Sequence, residues 1–141
     1  MVQNLLKAAD LSALHDSELY LVRRDRDYRS LKLGFRNIDR TFSNMLFGNI
    51  LTYRMDNIQC QDVVSRIIAS NTTSGFEDNI EKIARWTSSV ANNLLISEDK
   101  LRTHIGKIRS GDLQLIYVQP SWGAEIGVIA ETVTLSHDPT C

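Results

Sequence analysis

The sequence has few cysteines, few prolines and few glycines. Its two cysteines, Cys60 and Cys141, cannot form a disulfide framework and lack zinc-site spacing, so the sequence predicts no metal site and a reducing compartment. Two prolines and seven glycines in 141 residues exclude a collagen-like or low-complexity chain. Hydrophobic residues make up 43% and charged residues 23%, which is typical of a globular protein.

Long apolar runs are also missing. No stretch approaches the roughly 18 apolar residues that identify a transmembrane helix, so we expect no membrane segment. The N-terminal stretch MVQNLLKAADLSAL lacks a basic start followed by a long apolar run, so the sequence predicts no signal peptide. With no repeat and no linker, the length predicts one domain over residues 1–141, in which residues 1–16 are a loosely attached segment.

Neither sign of charge is in excess. Lys and Arg number 16 and Asp and Glu number 17, which gives a net charge of −1. A duplex-DNA binder is usually basic, because phosphate neutralisation supplies much of its affinity. The balance therefore favours protein over nucleic acid as the main partner, and only a local basic patch would bind nucleic acid.

The sequence carries none of the common catalytic motifs. It has no G-x-S-x-G, H-E-x-x-H, G-x-x-x-x-G-K-[ST] or G-x-G-x-x-G, and His15, His104 and His137 are far apart in sequence. His104 falls beside a predicted apolar helix stripe, which favours a boundary position. His137, Asp138 and Cys141 fall on a predicted tail, which cannot supply the fixed geometry of a metal site. We therefore predict a protein that is not an enzyme and has no catalytic residue, cofactor or metal.

Apolar periodicity changes along the chain from strand-like to helix-like and back. ELYLVR and YRSLKLGF predict an N-terminal β-hairpin around the polar loop RDRD, with the first strand buried on both faces. DLQLIYV and AEIGVIAETVTL predict a second hairpin, with Pro120 and Gly123 at its bend and a tail after it. Helical spacing predicts a short helix over 2–14 and central helices, which cover 37–54, 57–69, 76–95 and 97–110. The predicted fold is α+β, with three to four central helices between two hairpins that could share one antiparallel sheet.

Helix-end signals are clearest in the last two predicted helices. Ser74 and Glu77 form an S-x-x-E capping box, and Gly111 can adopt the left-handed conformation that ends a helix. The acidic pairs Glu77/Asp78 and Glu98/Asp99 each fall in a first turn, where carboxylates complement the helix dipole. We interpret them as structural rather than as catalytic pairs.

Two features are candidates for binding. The N-terminal hairpin loop carries four arginines interleaved with Asp25 and Asp27, and this mixed charge favours a solvated turn or a protein contact over a nucleic-acid site. Trp122 falls near the tip of the second hairpin, where it either folds back onto its sheet or anchors a partner. The predicted interface residues are Arg23, Arg24, Arg26, Arg29 and Trp122.

The stretch Asp10–Phe35 resembles a short module of tailed-bacteriophage virion proteins. That module has a leucine-containing lead-in, an acidic residue, an LFLV-like strand, a polar turn and a YKVTL-like strand; Arg26 stands here where the module usually has glycine. The resemblance implies a tail, neck, fibre or capsid-accessory protein that is located in the virion and present in many copies. The matching residues are Leu14, Asp16, Leu19, Leu21, Val22, Arg24, Asp25, Tyr28, Lys32 and Leu33.

A second stretch, residues 100–128, resembles the recognition helix and wing of response-regulator winged-helix domains. The matching residues are Leu101, His104, Ile105, Ile108, Arg109, Ile116, Gly123 and Ile126. The resemblance implies DNA binding through residues 97–129, with Arg102, Lys107 and Arg109 facing phosphates or bases. The chain departs from that family in the long helix predicted before this stretch and in the early Gly111.

These observations lead to one expectation and two alternatives. We expect a non-enzymatic structural or assembly protein, a homo-oligomer that also contacts other proteins of a phage virion, with no membrane partner. The first alternative is a winged-helix-like transcription regulator, which would be cytoplasmic. The second is a small inhibitor or immunity-type protein, which no residue pattern in the sequence supports.

Overall fold

A computed structural model describes residues 6–27, 29–70 and 76–138. Tyr28, Ser74, Cys141 and residues 2–5 of the predicted N-terminal helix lie outside the described residues. The described elements are α1 (Ala8–Ser12), β1 (Glu18–Asp25), β2 (Ser30–Arg36), β3 (Phe42–Asp56), β4 (Val63–Ala69), a 3-10 turn (Phe76–Asn79), α2 (Ile80–Thr87), β5 (Ser89–Val90), β6 (Asn93–Leu94), α3 (Glu98–Ser110), β7 (Gln114–Trp122) and β8 (Glu125–Asp138).

Six strands form a closed antiparallel barrel in the order β1-β2-β3-β8-β7-β4. The seam between β1 and β4 is short, with Glu18 paired to Val63. Two backbone hydrogen bonds flank that pair, from Leu19 N to Asp62 O at 2.9 Å and from Val64 N to Ser17 O at 2.8 Å. The strands β5 and β6 form a separate two-stranded ribbon.

The barrel is filled by apolar side chains, and a second apolar layer lies outside it. Leu33, Phe35, Met45 and Phe47 are among the interior residues, and α1 adds Leu11 to the same cluster. Leu6 and Leu14 belong to it too, so residues 6–16 are packed onto the core, where the sequence predicted a loose attachment. The outer layer joins α2 and α3 to β4, β7 and β8 through Ile68, Ile80, Ala84, Leu101, Ile105, Ile108, Leu113, Leu115 and Ile129.

The prediction of two terminal hairpins in one antiparallel sheet is confirmed. β1 pairs with β2, β7 pairs with β8, and both pairs belong to the barrel. Gly123 forms the second bend with a φ of 88°, but Pro120 lies within β7, paired with Val64. Only Leu19 of β1 is buried, so the prediction that this strand is buried on both faces is wrong. The sequence also predicted a tail after the second hairpin, but its first residues belong to β8, which continues to Asp138.

The predicted helices over 37–54 and 57–69 are wrong, since these segments form β3 and β4. In β3, Met45 and Phe47 point inward and Leu46 points outward. The strand bends at Asn49, which has a φ of 49°, and the pairing with β8 shifts just after it. Apolar residues on both faces of a bent strand imitate the spacing of a helix stripe. Cys60, predicted in a helix, is exposed in the β3–β4 loop.

The helix predicted over 76–95 is present but shorter, as α2. The helix predicted over 97–110 is confirmed as α3. α2 ends at Thr87, where the hydroxyls of Thr87 and Ser89 donate to the carbonyls of Ile83 and Arg85 at 2.7 and 2.6 Å. Such side-chain bonds compete with continuation of a helix. In α3, Ser97 Oγ accepts from Lys100 N at 3.1 Å, and Gly111 has the left-handed φ of 90°. None of the described helices combines the length and hydropathy needed to span a membrane.

Candidate functional site

Three of the four hairpin arginines line one groove. β2 pairs with β3 as far as Leu31 and Phe47, and Ile50 N then donates to Arg29 O at 3.1 Å. Beyond this point the β1–β2 turn and β3 diverge, which leaves a cavity of about 380 Å³. The side chains around it belong to the turn on one side and to the bend of β3 on the other: Arg24, Asp25, Arg26, Arg29, Ser30, Ile50, Leu51, Thr52 and Tyr53.

A second cavity of about 440 Å³ extends this site towards α3. It shares Arg29 and the segment 50–52 with the first cavity, and adds Ile96, Lys100 and His104. We call the two cavities together the cationic groove. Sequence reasoning missed Lys100 and His104, because only closure of the barrel brings α3 beside the β1–β2 turn.

The groove has an excess of positive charge. Its lining residues include four cations, Arg24, Arg26, Arg29 and Lys100, against one carboxylate, Asp25. Within the described part of the chain, none of the four cations forms an ion pair with a carboxylate. Arg24 instead donates from Nη1 to the Tyr53 hydroxyl at 2.8 Å. The guanidinium of Arg24 is thereby oriented, while Arg26, Arg29 and Lys100 stay available to an anion.

His104 closes the α3 end of the groove as a neutral group. It is 9% exposed, and its Nδ1 has no hydrogen-bond partner among the described residues. Burial lowers the pKa of His104, and the positive charges of Lys100 and Lys107 lower it further. The groove therefore gains no charge from this histidine near neutral pH. The predicted boundary position of His104 on a helix is consistent with this placement.

Arg23 lies outside the groove. It pairs with Lys32, and Lys32 pairs with Leu46, so these three residues form one row on the outer surface of the barrel. The structure therefore brings together three of the four hairpin arginines and leaves Arg23 on a different surface.

Trp122 is 66% exposed and stands at the end of β7. The bend after it is held by Asp62, whose Oδ1 accepts from Ala124 N and Gln59 N, both at 2.9 Å. A Cβ on Gly123 would approach Asp62 Cα to 3.0 Å, and the φ of 88° also favours glycine there. The structure does not fold this tryptophan back onto its sheet.

The three cations of the second resemblance lie on the exposed side of α3. Lys107 and Arg109 are exposed, and Arg102 Nη1 lies 4.0 Å from Asp99 Oδ1. The opposite side of α3 packs on the barrel, and β7 and β8 are barrel strands rather than a projecting wing. The fold implied by the winged-helix resemblance is therefore wrong, while nucleic-acid binding by Arg102, Lys107 and Arg109 stays a prediction.

The remaining histidines belong to small polar networks. Ser43 Oγ lies 2.7 Å from His137 Nδ1 and accepts from Asn37 Nδ2 at 2.9 Å. Ser43 is 0% exposed, so a substrate could not reach its hydroxyl, and we interpret this network as structural. His15 Nδ1 bonds to the Ser65 carbonyl. No group of three metal-ligating side chains occurs among the residues that the structure describes.

One of the predicted helix-end carboxylates, Glu98, has a clear structural partner. Glu98 accepts two hydrogen bonds from Arg85, at 2.6 and 2.9 Å, which tie the start of α3 to α2. The hydrogen bonds from Arg85 lower the pKa of Glu98 and keep it ionised. Trp86 is half-buried, with the Arg54 guanidinium 4.5 Å from its ring centroid.

Comparison with known proteins gives no relative. No protein-family model matches the chain, and no curated protein or solved structure is significantly similar to it.

Proposed function

We propose that this protein is a non-enzymatic structural or assembly protein that acts through protein–protein interfaces. Its partners are further copies of itself and other structural proteins of the same assembly. The N-terminal resemblance supports a phage virion, with the protein in a tail, neck, fibre or capsid-accessory position. β1 and β2 form the hairpin that this resemblance implies.

The observation that carries this proposal is an exposed surface that has Trp122 at one end and the aromatic pair Tyr20 and Phe42 towards the other. One row of paired residues runs around the barrel through Trp122, Val63, Glu18, Arg36 and Phe42. The Tyr20 ring meets the Phe42 ring edge-on, with centroids 5.1 Å apart, and Tyr20 is 49% exposed. Exposed aromatic side chains grouped on one surface are typical anchors of protein interfaces.

The barrel itself supports this function by providing a rigid frame. Its interior is occupied by close-packed apolar side chains, and its strands hold the exposed row in fixed register. A preorganised surface loses little conformational entropy when a partner binds. A ring or shell of such copies would require each interface to bury about 1,000 Å² or more.

Light scattering coupled to size-exclusion chromatography tests self-association. We expect a mass above the 16.0 kDa of one chain when the protein is concentrated. Trp122→Glu should return the mass to that of one chain, because it replaces the exposed aromatic anchor of the proposed interface with a charge. Leu95→Glu is the matched control, since Leu95 is also an exposed apolar residue but lies near the β5–β6 ribbon. A single-chain mass for the parent protein at every concentration would contradict the proposal.

The alternative function is DNA binding, and the exposed cations on α3 are the observation in its favour. A salt titration with random duplex DNA separates the two functions. A DNA binder would bind at low salt with a steep negative salt dependence, because binding releases counterions from the phosphates. We expect no such dependence here. Duplex binding that is lost in an Arg102→Glu, Lys107→Glu, Arg109→Glu variant would support the alternative.

A further inference from the structure

The cationic groove lies where an edge of β3 loses its neighbouring strand, as far as the described residues show. Up to Phe47, this edge pairs with β2. From Thr52 to Asp56, β3 pairs only with β8 among the described residues, so the edge that β2 occupied earlier is open. The bend at Asn49 and the register shift after Ile50 mark where β2 and β3 separate. An open strand edge presents backbone donors and acceptors in the spacing that an extended peptide matches.

The side chains around this edge favour an acidic occupant. Arg26 and Arg29 stand on the turn side of the edge, and Lys100 stands on the α3 side. Ile50 and Leu51 supply apolar surface between them. Residues of an extended peptide point alternately to opposite sides. A segment that alternates acidic and aliphatic residues would therefore place carboxylates near the cations and aliphatic side chains near Ile50 and Leu51.

We infer that the cationic groove binds an extended acidic segment of a partner protein, which adds as a strand to the open edge of β3. The inference rests on the proposed function, because it gives the chemistry of one partner surface. Arginine forks bind carboxylates with two parallel hydrogen bonds, so Arg26 and Arg29 are suited to glutamate or aspartate. The exposed row from Trp122 to Phe42 is a separate surface and takes no part in this site.

The groove is less suited to single-stranded nucleic acid. Proteins that hold single strands without sequence preference stack bases on aromatic side chains. Tyr53 is the only Phe, Tyr or Trp that lines the described part of the groove, and its hydroxyl accepts from Arg24. Phosphates would contact the cations, but among the described residues the bases would have only Tyr53 to stack on, and the backbone edge of β3 would stay unused.

Fluorescence anisotropy with labelled ten-residue peptides tests the inference on the full chain. The probes are (Glu-Val)5, its neutral counterpart (Gln-Val)5, and the oligonucleotide dT10. We expect (Glu-Val)5 to bind at least tenfold more tightly than either other probe at 50 mM salt, and less tightly at 300 mM salt because its charges are screened. A (Glu-Val)5 peptide N-methylated at alternate residues should lose at least fivefold in affinity, because it cannot complete the strand edge.

Two charge-matched variants locate the site. Arg26→Glu with Lys100→Glu should weaken (Glu-Val)5 binding at least tenfold. Arg40→Glu with Lys82→Glu makes the same change of charge at exposed positions outside the groove, and should stay within twofold of the parent protein. Circular dichroism confirms that each variant is folded before binding is compared.

Several results would overturn the inference. Equal losses in the two variants would show attraction by net charge alone. Tighter binding of dT10 would make the groove a nucleic-acid site, and no binding of any probe would show that it is only a solvated gap. Failure of self-association leaves these results unaffected, because peptide binding is measured on single chains. The inference and the proposed function can therefore fail separately.

Discussion

The two halves of the outer barrel surface are built differently. On one half, Ile68, Leu115 and Ile129 point outward from β4, β7 and β8 and are covered by α2 and α3. On the other half, Tyr20 and Leu46 point outward from β1 and β3 and stay exposed. We call these the covered face and the bare face. A strand needs an apolar outward residue for packing only where a second layer covers it, so exposed apolar residues on the bare face are consistent with the proposed partner surface.

The covered face also shows how tightly a second layer constrains its strands. Gly127 on β8 faces α2, where a Cβ would contact the Thr87 hydroxyl and approach Trp86 Cζ3 to 3.1 Å. Arg54 fixes the same corner by donating from Nη1 to the Trp86 carbonyl at 3.0 Å and by its ion pair with Asp56 at 2.9 Å. On the bare face, the exposed side chains can change without disturbing a second layer.

The largest expected effect contrasts two neighbours on β3. Phe47 is 1% exposed inside the barrel and Leu46 is 46% exposed on the bare face. Phe47→Ala should lower the free energy of unfolding by about 3–5 kcal/mol, because it leaves a cavity in the core. Leu46→Ala should change it by only about 0.5 kcal/mol, as exposed positions do. Urea unfolding measures both, and similar losses would show that the bare face is packed as a core.

A smaller effect is expected at the covered face. Gly127→Ala should destabilise the protein by about 1–3 kcal/mol, since the new methyl group must displace Thr87 or Trp86. Gly106 is the control, because a Cβ there meets nothing within 4 Å. Gly106→Ala should stabilise the protein by about 0.5–1 kcal/mol through helix propensity. Thermal unfolding checks both signs, and a neutral Gly127→Ala would mean that α2 is loosely docked.

The smallest effect concerns pH and His104. Its pKa is lowered in the folded protein, so the unfolded chain takes up a proton first as the pH falls below the ordinary value of 6.5. The stabilisation by neutral His104 is complete above that pH and is lost as the pH falls towards the lowered pKa. Burial disfavours protonation most, and the positive charges of Lys100 and Lys107 on α3 add to it.

The variant His104→Leu tests this pH dependence. It should reduce the loss of Tm between pH 7 and pH 5 while leaving the protein equally or more stable at pH 7, because it removes a buried nitrogen without a partner. Unfolding followed by circular dichroism across this range measures the difference. An unchanged pH dependence in the variant would assign the acid sensitivity to other groups.

Local sequence signals predicted the two terminal hairpins and the last helix. The central segments became strands through pairing with residues far away in the sequence, which local signals do not show. The helix over 97–110, the left-handed Gly111 and both terminal hairpins follow from residues close in sequence. β4 was misread because register shifts around Val64 place apolar residues on both faces. The pairs Val63–Val64 and Ile67–Ile68 are β-branched, and this property was the available signal for a strand.

The cationic groove was only partly predictable. The arginines of the β1–β2 turn were recognised, but their separation into groove residues and Arg23 depends on the twist and register of β1. Lys100 joins them only because α3 packs on the covered face beside the bend of β3. Such a site arises from barrel closure, and no spacing within the sequence encodes it.

Hydrogen exchange at low and high protein concentration tests the central claim most directly, namely that the bare face and its Trp122 end bind other chains. We predict that concentration slows exchange in peptides covering β1 and β2 and the β7–β8 bend, and leaves α2 and α3 unchanged. Identical exchange at both concentrations, or slowing confined to α2 and α3, would contradict the account.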